Sequence, residues 1–342
     1  MANRFPEYTY AYGSNLWMDP GAKVVQDHIV QVYTDVATRY DVDGLHMDDY
    51  FYPYPIDGKD FPDSRTYSDY QTAGGTLGLA DWRRNNVNSL IRGLERDIHD
   101  IKPYLKYGIS PFGIWKPGNP SGIQGLSAYD ELYADAKLWF GEGWLDYITP
   151  QLYWRIDPPK QSYPALLDWW LQQNTQARHL YTGNYAAAAI TKDWGVEELV
   201  KQVAISRSRR NNLSLGNVQF SIKYFVNNDL GMADAFAKLY QYPALTPEMT
   251  WMNVSGPHTP RDVQVNGRTV SWNADTSGLS MYTVIYKQQA DAYDIYAVLP
   301  VMTSFISDVP DGFYAVRNIN RRGTESSAVY VDVNEQTVVV IG

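Results

Sequence analysis

The residues best suited to chemistry stand together in His46-Met47-Asp48-Asp49-Tyr50-Phe51-Tyr52-Pro53-Tyr54. Two adjacent carboxylic acids follow a short apolar stretch that reads as a strand, and four aromatic residues fall within the next five positions. A lone acid at a strand end is commonly a turn former or a helix cap. A turn has no use for so many rings. A sugar cleft does, because pyranose faces pack on aromatic side chains and binding pockets combine apolar walls with few polar groups. Side chains alternate along a strand, so His46 and Asp48 are expected on one face and Leu45 and Met47 on the other. Asp48 is then the carboxyl that faces a site. Asp49 is expected to bind a sugar hydroxyl or to hold Asp48 or His46 in position, with Tyr50 and Tyr52 as sugar contacts. His46 reads equally as a partner that tunes Asp48 or as a satisfied core histidine.

Glycoside hydrolysis usually takes two carboxyl groups flanking the scissile bond, about 5 Å apart for retention and wider for inversion. Neighbours on a regular strand point apart, so Asp48 and Asp49 cannot both serve and the second acid must come from another segment. Asp130, Glu131 and Asp135, after the glycine-rich 117–128 stretch, are the candidates by sequence, and each reads equally as a surface charge on a helix. Asp146 opens its strand, the end tied to stability in barrels, and is set aside. Trp115, Gln151, Tyr153 and Trp154 lie at the far ends of two further strand-like stretches and are read as substrate-facing, with the core as the alternative for the aromatics. His28, His99, His179 and His258 lack ligand-like spacing, so no metal is assigned and no cofactor is expected. There is no Walker loop, GxGxxG or GxSxG pattern, which removes nucleotide binding and α/β-hydrolase chemistry from consideration.

These side chains need a scaffold. Asp19-Pro20-Gly21 reads as a helix start, and Val25, Ile29, Val32 and Val36 predict an amphipathic helix to about Arg39. The Asp43–Asp49 strand follows, then a patternless loop from Tyr50 to about Leu77, of the length that is usually functional or mobile. Helix 79–101, strand 107 onward to a turn at Trp115, helix 129–141, strand 144–154, helix 163–176, strand 179–184, helix 195–211 and strand 217–222 complete an alternation that marks a parallel sheet. Five strands are counted where a (β/α)₈ barrel has eight. The expected fold class is therefore α/β, of TIM-barrel type with about five of its eight β/α units, over residues 1–250. From about Ser255 short alternating strands are punctuated by Asn266-Gly267, Ser277-Gly278 and Arg322-Gly323. Trp272 on an early strand, and Tyr314 as a candidate tyrosine corner, predict an immunoglobulin-like, fibronectin type III-like sandwich over 256–342, with a linker near 246–257.

A net charge of −9 over 342 residues argues against nucleic acid and anionic membranes as partners. With no cysteine there is neither a disulfide framework nor a thiolate metal site. No run of about eighteen apolar residues spans a bilayer. The first residues carry no hydrophobic signal core, so the protein is expected to stay in the cytoplasm or to have had its signal removed.

Four ordered blocks, Val42 to Pro53, Gly108 to Trp115, Tyr129 to Asp135 and Asp146 to Trp154, together resemble the glycosyl-hydrolase-like family ten over roughly residues 10–235. The resemblance implies a (β/α)₈ barrel in bacterial envelope or secreted proteins that act on bacterial glycans; characterised members cleave peptidoglycan glycan strands stripped of their stem peptides. Asp43-Gly44-x-x-x-Asp48 also resembles the fourth-strand nucleophile segment of other barrel glycosidases, which favours Asp48. Those enzymes carry their acid on the fifth strand, where this chain has Ser110-Pro111-Phe112. Family members carry three β/α units ahead of the Asp-Asp strand, so a missing N-terminal segment or a partner is expected to complete the barrel. The expectation is a glycoside hydrolase with Asp48 as nucleophile or base, an acid from 130–135 as proton donor, and a polysaccharide as substrate. The alternatives are a non-catalytic glycan-binding protein on the same scaffold and a structural or adhesion protein.

Overall fold

Thr9–Tyr12 (β1) and Asn15–Met18 (β2) pair antiparallel across Gly13-Ser14, with Gly13 in the left-handed region, a hairpin the sequence reading did not anticipate. The computed structural model describes residues 2–340. Helix α1, Lys23–Arg39, begins beyond Asp19. Asp19 does not cap it: its buried carboxyl accepts from the Gly21 N–H (2.8 Å) and the Thr66 hydroxyl (2.7 Å).

Gly44–Met47 (β3), Lys106–Ile109 (β4), Tyr147–Ile148 (β5), His179–Asn184 (β6) and Ser214–Gln219 (β7) form a parallel five-stranded sheet in chain order. Helices join the strands: α2 (Ser64–Thr72) and α3 (Leu79–Ile101), then α4 (Ala128–Glu131) and α5 (Ala136–Gly141), then α6 (Tyr163–Gln172), then α7 (Ala188–Thr191) and α8 (Val196–Ser208). Short helices α9 (Lys223–Val226) and α10 (Met232–Leu239) follow the last strand. Neighbouring strands linked through helices are the topology of successive β/α units. Among the described residues no strand pairs with the outer edge of β3 or β7, and the sheet does not close into a barrel. Val218, Phe220, Ile222 and Val226, on and after β7, are exposed apolar side chains of the kind an open edge leaves.

On α3, Val87, Ile91, Leu94 and Ile98 repeat at helical spacing and are buried in one core with Tyr107, Ile109, Ile148 and Leu180 of the sheet. Local chemistry shifts several expected boundaries. The loop from Tyr50 contains α2. The expected helix 129–141 is split, because Tyr133 takes a left-handed φ of 52° and Asp135 starts a new helix. The expected strand 144–154 shrinks to Tyr147–Ile148, since Pro150 has no N–H to continue the ladder; beyond it Gln151 bridges Phe112 on one side and Gly183 on the other. No helix among the described residues is long and apolar enough to cross a membrane.

The chain divides into two units between Leu239 and Tyr240, ahead of the expected 250 and 256. In the second, Arg261–Asn266 (β8), Thr269–Asn273 (β9), Tyr282–Gln289 (β10), Ala292–Pro300 (β11), Phe305–Ile306 (β12), Phe313–Ile319 (β13), Val329–Asp332 (β14) and Thr337–Val340 (β15) build two antiparallel sheets. One has the order β11-β10-β13-β14-β15, the other β12-β9-β8. Val270, Trp272, Ile285, Tyr314, Val316 and Val331 share a core. The Tyr314 hydroxyl donates to the Pro310 carbonyl (2.5 Å). The segment expected as linker belongs to this unit, with the Met249 N–H donating to Arg322 O (2.8 Å).

Candidate active site

Parallel strands deliver their C-terminal ends to one side. There β3 contributes Asp48 and Asp49, β4 Ser110, β5 Gln151 and Tyr153, β6 Tyr185 and β7 Phe220. Because β3 ends at Met47, the alternation expected to part Asp48 from Asp49 stops before either. Asp48 is exposed and its Oδ1 accepts from the Asp49 N–H (2.9 Å) and from Gln151 Nε2 (3.1 Å). Asp49 is only 3% exposed, and its carboxyl accepts from the Tyr54 hydroxyl. Gln151 is fixed in turn, its Nε2 also donating to Ser110 O (2.9 Å). It reaches that place because residue 113 is glycine: a Cβ there would lie 2.2 Å from Gln151 O.

His46, itself exposed, is the next polar side chain back along β3. Its Nε2 is 2.6 Å from the Ser110 hydroxyl and its Nδ1 is 3.0 Å from the Tyr147 hydroxyl. The Tyr147 ring stacks on the imidazole (5.7 Å, 16°) across Gly108, where a Cβ would fall 2.1 Å from that ring. Beyond the acids Tyr153 stacks on Tyr185 (5.1 Å, 28°) and lies near-parallel to Phe220 (6.1 Å, 21°), whose ring is 56% exposed. Exposed Tyr50 rests between Trp17 (6.0 Å) and Tyr54 (6.2 Å).

Burial pushes the Asp49 carboxyl above the ordinary carboxylate range; the charge and hydrogen bond of Asp48 push the same way, while the bonds from Tyr54 and Gln151 oppose. Burial lowers the proton affinity of His46 against the pull of Asp48, so the imidazole is neutral at pH 7, one nitrogen donating and one accepting. Burial, and then Asp48 and Asp49, raise the Tyr153 hydroxyl, which stays a proton donor beside them. The arrangement can present an anchored carboxyl to a ligand, with a buried acid behind it. Groups this close act from one side of a sugar and cannot flank it.

The other sequence-predicted residues divide. Trp154 stands edge-on to Phe112 (5.6 Å), which packs on Tyr54 (6.2 Å), a second row behind the acids. Tyr52 is 1% exposed, enclosed by Phe61, Tyr133 and the Arg83 guanidinium, so a sugar cannot touch it. Trp115 stacks on Trp169 of α6 (5.9 Å, 21°) and borders a separate open pocket of about 550 Å³ with Tyr129, Asp135 and Lys137. Asp135 caps α5, accepting from the Leu138 N–H (3.3 Å), and takes the Trp115 indole N–H (2.9 Å). Asp130 accepts from the Ser127 hydroxyl (2.8 Å) and pairs with Lys116 (3.2 Å), while Glu131 accepts from the Ser127 N–H (2.9 Å), a reciprocal helix cap. Among the described residues no hydrogen bond or ion pair joins Asp130 or Asp135 to Asp48 or Asp49; the contacts of both acids are at helix ends. Sequence reasoning missed Tyr54, Tyr185 and Phe220. The last two each follow a parallel strand directly, and that position was the available signal.

The family model for glycosyl hydrolase-like 10 matches residues 3–195. The chain belongs to that family. Glycosyl hydrolase YngK of Bacillus subtilis (strain 168) is 39% identical over 276 residues, 77% of this chain and 53% of that protein. Glycosyl hydrolase DigH of Escherichia coli (strain K12) is 38% identical over 208 residues, 57% of this chain and 47% of that protein. The chain thus spans about half the length of the curated relatives it matches. Among solved structures, chitinase ChiA74 from Bacillus thuringiensis matches 99% of this chain and 63% of its own at 9% identity and a TM-score of 0.40, too remote to bear on function. Asp48, Asp49, Trp115, Gln151, Tyr153 and Trp154 all fall inside the stretch matched by the family model.

Proposed function

We propose that the protein hydrolyses glycosidic bonds in a bacterial polysaccharide, with peptidoglycan glycan strands as the substrate class. The observation that carries this reading is the Asp48–Asp49–Gln151 unit at the C-terminal end of the sheet, beside the Tyr153, Tyr185 and Phe220 rings. Asp48, exposed and oriented by the Gln151 amide, acts as nucleophile or base. Asp49, buried behind it and bonded by the Tyr54 hydroxyl, holds the Asp48 segment in place. His46 and Ser110 hold the floor, and the rings take the pyranose faces. The remainder of the reading goes with it: the sheet is five consecutive units of an eight-unit barrel, further β/α units or a partner cover its open edges, and the second unit is a fibronectin type III-like module. A glycan substrate of this kind sets the place of action at the cell envelope or outside the cell.

The test is digestion of peptide-free peptidoglycan glycan strands, with product masses read for the parent chain and Asp48→Asn. Shortened strands from the parent alone support the hydrolase. A second reading, glycan binding without turnover, draws on the capping duties of Asp130 and Asp135. Strands retained by the parent without cleavage would favour that reading.

A further inference from the structure

In the second unit Tyr286 on β10, Ala315 on β13 and Tyr330 on β14 stand in register as a row across three adjacent strands. Their chain neighbours Ile285, Tyr314, Val316 and Val331 fill the core, so alternation turns this row to the outer face. Ala315 is too short to reach the level of the rings beside it, and a trough results. Tyr293, 40% exposed, leans over it with its ring 6.1 Å from that of Tyr330.

The wall of the trough is the segment Leu245-Thr246-Pro247-Glu248. It is held by the Met249 N–H on Arg322 O (2.8 Å) and the Thr324 hydroxyl on Glu248 (2.6 Å). Gly323 lies beneath it at a φ of +92°, and a Cβ there would come within 2.8 Å of Thr246 O. The open space it bounds is about 640 Å³, inside the range of roughly 300–1,000 Å³ common to ligand clefts. Arg317 also lines the trough, its Nε 3.5 Å from Glu325 and its Nη1 donating to Ser326 O (2.9 Å), while the Tyr286 hydroxyl bonds Glu325. Ring faces, a fixed guanidinium and a fixed carboxylate therefore converge on one space.

We infer that this trough binds a neutral glycan chain. Tyr293 and Tyr330 offer ring faces to pyranose C–H surfaces, and Arg317 with Glu325 offers donors and acceptors to neighbouring hydroxyls, each of which can both donate and accept. An apolar peptide segment would use the rings but bury the Arg317–Glu325 pair without partners. An acidic polymer would meet two carboxylates, Glu248 and Glu325, against the Arg317 guanidinium of the lining. The inference stands independently of hydrolysis at Asp48.

The experiment is titration calorimetry on the full chain carrying Asp48→Asn, which prevents turnover, with β-1,4-linked N-acetylglucosamine hexamer and cellohexaose as probes. Adding Tyr293→Ala and Tyr330→Ala together is expected to weaken binding of at least one probe by about tenfold or more. Arg317→Lys keeps the charge but loses the planar fork and is expected to weaken the same probe; it carries the test if the double tyrosine variant fails to fold. With Asp48 intact, the same variants should cleave soluble substrate at the parental rate. Unchanged affinity in the folded variants, or no binding of either probe by the chain, overturns the inference.

Discussion

Asp146 and Asp48 lie at opposite ends of the same parallel sheet, each beside a histidine and a second carboxyl, and the two clusters are wired in opposite senses. Asp146, buried ahead of β5, accepts from the Tyr107 N–H (2.7 Å) and from His99 Nε2 (3.0 Å), and Glu95 takes the other imidazole nitrogen (3.1 Å). Burial disfavours the charge on His99, but its bonds to Asp146 and Glu95 outweigh that and raise it to about 10. Cation meets anions there, and the cluster ties α3 to the sheet. At the other end acid meets acid, Asp49 is raised rather than compensated, and His46 is lowered and neutral. Compensated charge holds a fold together, whereas like charges kept side by side are tolerated where a ligand or a proton is to be handled.

Asp48→Asn should break the second cluster's function without touching its fold. Turnover on peptide-free glycan strands is expected to fall about a thousandfold, within the span typical of acid–base groups. The melting temperature should stay near the parent's, since the side chain is exposed. A folded Asp48→Asn chain with parental turnover would remove Asp48 from the site.

Asp146→Asn should do the reverse, with a loss of about 3 kcal/mol of stability from breaking a buried ion pair and no change in turnover of the folded protein. The pH sign follows from the direction of the shift. The folded-state affinity of His99 is raised, so its stabilisation is fully present below its ordinary value of 6.5 and lost as pH rises through about 10. Urea unfolding of the parent and of His99→Gln should therefore show a wide gap at neutral pH that closes above the raised value. A gap that ignores pH would mean that packing, not charge, makes the cluster.

Asp49→Asn sharpens the contrast by removing the like charge. A raised carboxyl favours the fold below its ordinary value of 3.8 and forfeits that contribution as pH rises through the raised value. At neutral pH the asparagine variant is expected to be more stable than the parent, by about 1 kcal/mol, with the advantage gone in strong acid. Equal stability of the two chains at neutral pH would show that Asp49 carries no such strain.

The contrast between the two ends was half legible in the sequence. Strand-helix alternation placed Asp48 and Gln151 at one end and Asp146 at the other, because periodicity reports which end of a parallel strand a residue occupies. It could not report that β3 stops at Met47, two residues short of the expected end, so that strand alternation no longer governs Asp48 and Asp49. Tyr52 was misread for a related reason: an aromatic run after a strand looks alike whether its rings line a cleft or, as with Tyr52 against Phe61 and Arg83, close the core beneath it. Asp130 and Asp135 look like free acids in sequence because their duties are set by local φ/ψ, above all the left-handed Tyr133 that separates α4 from α5.

Asp135→Ala tests that last point and carries the smallest expected effect. The side chain caps α5 and receives the Trp115 indole N–H, so its loss should cost about 1 kcal/mol, the usual consequence of removing an N-terminal cap. Turnover by the folded fraction should equal the parent's. Asp135→Asn, which can still accept from the Leu138 N–H and the indole, should recover most of the stability. If Asp135→Asn instead folds normally and loses turnover as severely as Asp48→Asn does, its charge is catalytic, the capping bond is secondary, and the two acids share one site. A stability loss in Asp135→Ala that Asp135→Asn recovers, with turnover kept in both, leaves the uncompensated pair at the end of β3 as the acid centre of the first unit.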